Sequence, residues 1–481
     1  MSLGTLFPSP SRPSEFWDQT PHNLPGVTSE STQKLVELLR LNDERYHVFF
    51  NSMGFHNHLT HHVLAAWSLG ASAAELQQAF NEHASYQRKK PIPPEKITGH
   101  FSFTNISYLL SSEKYYEGYR QFFADKLLRP DGISKTLEEF VFSREANHGA
   151  SGSSSAGPMM LARFYGGVLH PMIHSGYVEF GMPGMLAEGL SVACITNPQL
   201  AIMMPPEFFH ASSETDSTPG QHSFDIVAEM LQDDRLKPHK IRKLNSSRPF
   251  EESMDNVGAI VREYASKWVV PADGDKRTLQ SKIEELQWLS AIIFGVGGWR
   301  PGHDFRSDFF LMHILTSSIF LPSLAAFLSP SSQSALLRGH FSTLLSYWID
   351  RGRPSLYLGE FMDSVTATPS PPKEAPRRSS SNRNAPPDVI INNNPWLDII
   401  QSVTHHPDEH LVKTIRALQH YARIYGGRPA GTFGATKLAG AERLDGTLFV
   451  RVAVNAMNAI GWESGTGGYD RAGLGWDEVW R

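Results

Sequence analysis

Cysteine is nearly missing from this chain. Cys194 stands alone among 481 residues, which rules out an intrachain disulfide and a thiolate zinc site and makes a reducing compartment, the cytoplasm, the expected location. Its apolar setting, Leu190-Ser-Val-Ala-Cys194-Ile, reads as a buried structural thiol. Basic stripes are missing too: the net charge is −5, so neither nucleic acid nor an anionic membrane surface is the expected partner, and small-molecule chemistry is the default. No apolar run approaches the ~20 residues needed to cross a bilayer. The opening residues, Met1-Ser-Leu-Gly-Thr-Leu-Phe-Pro, lack the basic and long apolar regions of a secretory signal, and the closing Asp-Glu-Val-Trp-Arg481 is no peroxisomal or retention signal. Cofactor fingerprints are absent as well. There is no phosphate loop, no Gly-x-Ser-x-Gly elbow and no Gly-x-Gly-x-x-Gly, since Gly295-Val-Gly-Gly298-Trp-Arg lacks the last glycine and follows a helical segment. A standard flavin or nicotinamide domain is therefore not expected.

Period-two alternation is scarce, whereas apolar residues recur at helical spacing through most of the chain. The segments 112–127, 134–143, 156–176, 183–195, 222–233, 252–267, 274–294, 307–327, 333–351, 396–402 and 407–425 read as helices. Further upstream, Thr32 to Leu41 forms a first helix. Asn57 caps a second that Gly70 ends, and Ser72-Ala-Ala-Glu75 is a capping box for a third running to about Tyr86. About 40% of residues are hydrophobic, enough for a sizeable core. The expectation is a predominantly α fold: one large multi-helical domain over 31–481, a proline-punctuated extended arm over 1–30, and a disordered insertion at about 366–388, where Pro, Ser and Arg dominate.

Histidine is what the chain has in an unusual arrangement. Residues 56 to 62 read His-Asn-His-Leu-Thr-His-His, and further histidines stand in apolar segments at His170/His174, His313 and His405/His406/His410. His58 and His62, four apart, share a helix face, and His170 and His174 repeat that spacing around Pro171. Such pairs can offer two imidazoles to one metal, or can be solvent-facing or hydrogen-bonded core residues; the spacing admits both readings. His313 lies in a segment apolar all round, hence central, with Asp308 as a cap or an orienting partner. At the last segment Asp408 and Glu409 suit a helix N-terminus, and His410 and Lys413, three apart, share a face. A lysine on an apolar face usually snorkels. Buried and deprotonated, it can instead take up carbon dioxide and become a carbamate, an oxygen ligand.

These residues resemble the questin oxidase-like family, fungal enzymes linked to oxidative ring opening of anthraquinones and related aflatoxin-pathway intermediates. The resemblance rests on Gly54-Phe-His-Asn-His58-Leu-Thr-His61-His62 with Leu69-Gly-Ala-Ser, on Leu169-His170-Pro-Met-Ile-His174-Ser-Gly-Tyr177, on Asp308-Phe-Phe-Leu-Met-His313-Ile-Leu-Thr-Ser-Ser and on Asp408-Glu-His410-Leu-Val-Lys413, in the family's order over roughly 45 to 425. It implies either a Baeyer-Villiger-type oxidation with NADPH or a non-haem iron oxygenase whose Fe(2+) is held by four histidines and a carboxylated lysine. The second account suits the residues better. Carried over one histidine per segment, it assigns the metal to His58, His174, His313, His410 and Lys413, with His62 and His170 as alternatives from the same pairs.

The implied chemistry joins dioxygen to a flat phenolic polyketide beside a quinone carbonyl and cleaves a carbon–carbon bond. Phe164, Tyr165, Trp299, Phe309 and Phe310 are candidates for an apolar slot, and equally for the core. A metal-dependent hydrolase is the rival from another class, because buried histidines and a carbamylated lysine also suit zinc and water activation.

Overall fold

Several helices in this chain begin where a side chain satisfies their first free amides, and others where a proline occupies the first turn. In the computed structural model, which describes residues 3–11, 19–90, 109–149, 157–209, 220–369, 394–463 and 467–481, the frame runs α1 (Ser29–Arg45), α2 (Leu59–Ser68), α3 (Ala73–Ala84), α4 (Tyr116–Leu127), α5 (His170–Gly176), α6 (Pro183–Ile195), α7 (Pro249–Ser266), α8 (Lys276–Gly295), α9 (Phe309–Ser318), α10 (Pro330–Asp350), α11 (Glu409–Tyr425) and α12 (Leu448–Ile460), with shorter turns between. Among the described residues extended pairing is limited to three isolated bridges, so the fold is predominantly α. Ser72 and Glu75 exchange the two bonds of the expected capping box at α3. Asp308 accepts from the amides of Phe310 and Leu311, and Asp408 from that of Leu411 at 2.7 Å. Gly70, at φ +98°, ends α2 against Pro25, whose carbonyl oxygen would lie 2.6 Å from any added Cβ.

Two expected helices are broken, each for a local reason. The 156–176 stretch splits into Met160–Phe164 and α5, because Gly167, Val168 and Leu169 all adopt left-handed backbone, at φ 53°, 56° and 60°. Pro171 therefore sits in the first turn of α5, where a missing amide costs nothing, and not in mid-helix. The 307–327 stretch breaks after Ser318 and restarts at Leu321 with Pro322 in its first turn. Of the twelve helices of this frame, one was not expected at all. In α12 the β-branched Val450, Val452 and Val454 lower helix propensity, yet burial against α11 and α8 overrides it, with Val452 seated on Gly295. The segment 112–127 opens as a 3-10 turn before α4, and 134–143 ends in a π turn.

The helices pack so that the histidine-bearing ones meet. α11 lies against α2, α9 and α12, while α5 packs on α6 and α9, and α10 backs α7 and α9. No helix is long and apolar enough to cross a membrane among the described residues. Part of the N-terminal thirty residues lies on this body: the Phe7 ring fills the space beside Gly184, and the Gln19 amide reaches the Gln280 carbonyl and the Tyr425 hydroxyl. The insertion expected at 366–388 lies outside the described residues from 370 onward.

Inside the body, Arg416 of α11 pairs with the buried Glu179 and bonds the Ser68 hydroxyl at the end of α2, its guanidinium packed among Tyr177, Phe180 and Phe320. Removing one partner strands a buried charge, which costs about 3–5 kcal/mol. Arg416→Met is expected to lower stability by that amount in reversible denaturant titration. A change under about 1 kcal/mol would show that the pair behaves like an exposed one.

Candidate metal centre

Histidines from four segments converge between α2, α5, α9 and α11. His58, immediately before α2, His170, opening α5, and His313, within α9, bring their ring nitrogens within 4.8 Å of one another, and His58, Glu409 and His410 form an overlapping group. The ring centroids of His58 lie 4.6 Å from His410 and 4.8 Å from His170, and those of His313 lie 4.7 Å from His170 and 5.2 Å from His410. All four side chains are buried.

The hydrogen bonds of the other ring nitrogen decide what this cluster can bind. His170 Nδ1 is 2.6 Å from the Gly167 carbonyl oxygen, and His313 Nδ1 is 2.7 Å from that of Phe309. Glu409 Oε1 lies 3.2 Å from both His58 Nδ1 and His410 Nδ1. Each of those oxygens accepts, so each Nδ1 carries the proton and each Nε2 offers a lone pair. His58 Nε2 and His170 Nε2 nevertheless face each other at 2.7 Å, while His313 Nε2, His410 Nε2 and the Lys413 amine are buried with no hydrogen-bond partner. Lone pairs aimed together with no donor between them call for a cation.

A proton is poorly suited to that task. Burial first, and then the charges of Lys413 and neighbouring imidazoles, depress His58, His313 and His410 well below the ordinary imidazole value, and His170 to about 3. Burial also lowers Lys413, to about 8, although Glu409 and Asp408 pull it upward. Glu409 is pushed up by burial but held down at about 2 by His410, His83 and Lys413. The pocket thus holds one firm anion, a ring of neutral imidazoles and an amine that deprotonates easily. That is the donor chemistry of a divalent transition metal, with Glu409 as the carboxylate that orients two of its ligands.

Of the residues singled out from sequence, His58, His313, His410 and Lys413 come together, and the partner from the second segment is His170. His174, one turn further along α5, has both ring nitrogens engaged elsewhere: Nδ1 with His61 Nε2 at 3.0 Å and Nε2 with Glu188 Oε2 at 2.7 Å. His62 Nδ1 bonds His83 Nε2 at 2.8 Å. His58 is not on the face of α2 at all, because it is itself the N-cap residue, one position later than expected, while the Asn57 side chain just before it accepts from the Leu59 amide. Asp308 caps α9 and also accepts from Arg351 Nε at 2.8 Å. Phe309 stands edge-on to His313 and His410, whereas Phe164 packs on Tyr165, Phe310 on Tyr347 and Trp299 on Phe361. The Cys194 thiol is buried and its pKa raised by that burial, as a structural cysteine's would be.

Sequence reasoning passed over several neighbours. His56 stacks on His170 with centroids 4.0 Å apart and rings nearly parallel, and Tyr469 closes the side near His410 while bonding Asp408. Glu409 was read only as a complement to the helix dipole. Its position beside His410, at the start of a helix carrying Lys413, was the available signal. Nothing local marks Tyr469, which is some sixty residues away in sequence.

A family model described as questin oxidase-like matches residues 55–418, a span that contains every ring of the cluster. Among curated proteins, the chain is 28% identical over 297 residues to the Baeyer-Villiger oxidase ptaJ of Pestalotiopsis fici, covering 60% of this chain and 62% of that one. It is 25% identical over 435 residues to the questin oxidase of Aspergillus fumigatus, covering 88% and 87%. The oxidoreductase AflY of Aspergillus parasiticus is 24% identical over 403 residues, covering 81% and 72%.

Glu409→Gln replaces the anionic acceptor shared by the His58 and His410 N–H groups with a neutral amide. Metal affinity, measured by competition with a chromophoric chelator, is expected to fall about 10–100-fold while the helix content stays unchanged. Unaltered affinity would remove Glu409 from the centre.

Proposed function

This chain belongs to the questin oxidase-like family, and from that premise we propose that it is an oxidoreductase of anthraquinone-like aromatic polyketides, of the kind fungal secondary metabolism uses, and that its centre takes a single ferrous ion. The reading is carried by one observation: four buried imidazoles, each with Nδ1 committed to an oxygen, keep unprotonated Nε2 atoms in one cluster, those of His58 and His170 facing each other at 2.7 Å and those of His313 and His410 without a hydrogen-bond partner. His58, His170, His313 and His410 would hold the metal. His170 is preferred over His174 because its Nε2 is turned toward the cluster and that of His174 toward Glu188.

Lys413 would supply the oxygen ligand. Its neutral amine adds to carbon dioxide, forming a carbamate and releasing one proton, which converts a buried cation that repels a metal into an anion that binds one. Bound iron would supply a redox-active site for activating dioxygen against the aromatic substrate.

The chain's own groups do the rest. Glu409 fixes the tautomers of His58 and His410 and would offset the charge of the ion they hold. The left-handed run at 167–169 aims the Gly167 carbonyl at His170. Phe309 and Tyr469 wall the side by His410, with the Arg471 guanidinium over Phe309 at 4.0 Å, an apolar lining that keeps bulk water from the reacting groups.

The relatives' Baeyer-Villiger names favour a second outcome at the same centre. Insertion of one oxygen atom beside a carbonyl reduces the other atom to water and so requires two further electrons, which NADPH would bring from solution. Ring cleavage that keeps both atoms requires none. Oxygen uptake against product formed, with and without NADPH, separates the two, and a redox-silent zinc protein would belong to the hydrolase reading.

Protein purified without chelator, or reconstituted anaerobically with ferrous ion, is expected to hold about one iron per chain and to take up dioxygen when given a hydroxyanthraquinone. His170→Ala, His313→Ala and Lys413→Ala are expected to lose the iron, and His174→Ala to keep it. Folded wild-type protein without iron, or full iron in the His313 and Lys413 variants, would sink the assignment.

A further inference from the structure

Outside the proposed metal set, four buried side chains from four helices form one continuous hydrogen-bonded chain. His61 of α2 bonds His174 of α5, and His174 bonds Glu188 of α6, at 3.0 and 2.7 Å. Glu188 in turn shares a side-chain hydrogen bond with Asp43 of α1. None of the four is more than 4% exposed.

The direction of every bond follows from one proton. Ionised carboxylates only accept, so two of them can bond only if one is protonated. Burial, and then the Glu188 charge, raise Asp43 to about 7, whereas Glu188 is held down, against the effect of burial, by its bond to His174 and by Arg120. Asp43 is therefore the donor and Glu188 the anion. Glu188 accepts from His174 Nε2, which leaves His174 Nδ1 as the acceptor for the His61 Nε2 proton. The chain ends on His61 Nδ1 as a lone pair, buried and without a hydrogen-bond partner.

That nitrogen belongs to a ring beside the metal cluster, with centroids 5.6 Å from His58, and the ring is held in place by stacking on Tyr177, whose hydroxyl donates to the His61 carbonyl oxygen at 3.1 Å. A fixed, buried acceptor next to a reaction centre fits a ligand that brings a donor. Resting on the aromatic-substrate reading above, we propose that His61 Nδ1 is the anchor for a phenolic hydroxyl of the substrate, and that Asp43, Glu188 and His174 are positioning residues that keep this nitrogen an acceptor. The specificity that results is for a free hydroxyl over its ether, because a methoxy group has no proton to give and leaves the nitrogen unsatisfied.

Asp43 is faced by Glu188 from α6, by Arg120, whose Nη1 lies 3.2 Å from Oδ1, with Tyr116 also on α4, and by Lys90, which bonds its main-chain carbonyl oxygen at 2.9 Å. Because the Asp43 pKa is raised, its proton is present below about 7 and lost as pH rises through that value. Two adjacent anions then disrupt the alignment of Glu188. An asparagine at 43 donates at every pH.

The test is anaerobic binding of a hydroxyanthraquinone and its methyl ether to the iron-loaded protein, followed by visible absorption across pH. The wild type is expected to prefer the hydroxyl compound about tenfold, less so at higher pH. Asp43→Asn should keep that preference at all pH values, and His61→Phe and His174→Phe should erase it with iron content intact. Equal binding of both compounds by the wild type, or a preference that survives in a folded His61→Phe protein, overturns this proposal alone. Failure of the iron-loaded wild type to bind either compound overturns it together with the aromatic-substrate reading.

Discussion

An imidazole withdrawn from water has to be neutral, and it has to hand its one N–H to an acceptor. The rest of this structure is organised around meeting that condition several times in one place. Each histidine of the cluster is supplied with an oxygen by a different device: the carbonyl of a left-handed turn for His170, the carbonyl one helical turn back for His313, and a single shared carboxylate for His58 and His410. Once the N–H groups are placed, the bare nitrogens have only one another to face. The pocket's suitability for a metal is thus a consequence of how its protons are disposed, more than of how many histidines it contains.

The shared carboxylate explains why α11 is the element on which the site depends. Glu409, His410 and Lys413 arrive together in its first turns, whose start is set by the Asp408 cap. Any shift in that start would move anion, imidazole and amine as a unit. The opposite end of the cluster is fixed by strain: after Gly167, which enters left-handed backbone freely, Val168 and Leu169 sit in a region that costs L-residues about 1–2 kcal/mol each. Such a run persists only where packing over-determines it, and here it turns the chain so that His170 opens a new helix facing His58.

Much of this was legible from the sequence. Caps at Ser72 and Asp308 and the stop at Gly70 follow from local rules, the helical class follows from periodicity, and the meeting of the histidine segments was implied by the family resemblance. What local rules could not give was the choice within each i, i+4 pair. His170 and His174 are equivalent by spacing; they differ because Gly167 and His58 lie beside one ring, and Glu188 and His61 beside the other. The break before α5 was invisible because nothing in Tyr165-Gly-Gly-Val-Leu-His170 forbids helix strongly enough, and α12 was missed because its valines argue for strand until their burial is known.

The contrast between the two histidines of α5 shows how the fold divides its imidazoles. One group ends in bare Nε2 atoms inside the cluster, with Nδ1 atoms bound to fixed oxygens. The other, from His61 through His174 to Glu188 and Asp43, runs its bonds in series away from that point, so that a proton held at the far end decides what the near end presents. Both arrangements use the same residue type at the same burial. What separates them is whether the acceptor is a fixed carbonyl or ionised carboxylate, which pins one tautomer, or a carboxyl pair whose ionisation lies near neutrality. In the proposed chemistry the first kind would hold the metal and the second would recognise a hydroxyl beside it. The two sets lie side by side, close enough that His58 and His170 help to depress His61 and His174 helps to depress His170, so a proton placed on either set is felt by the other.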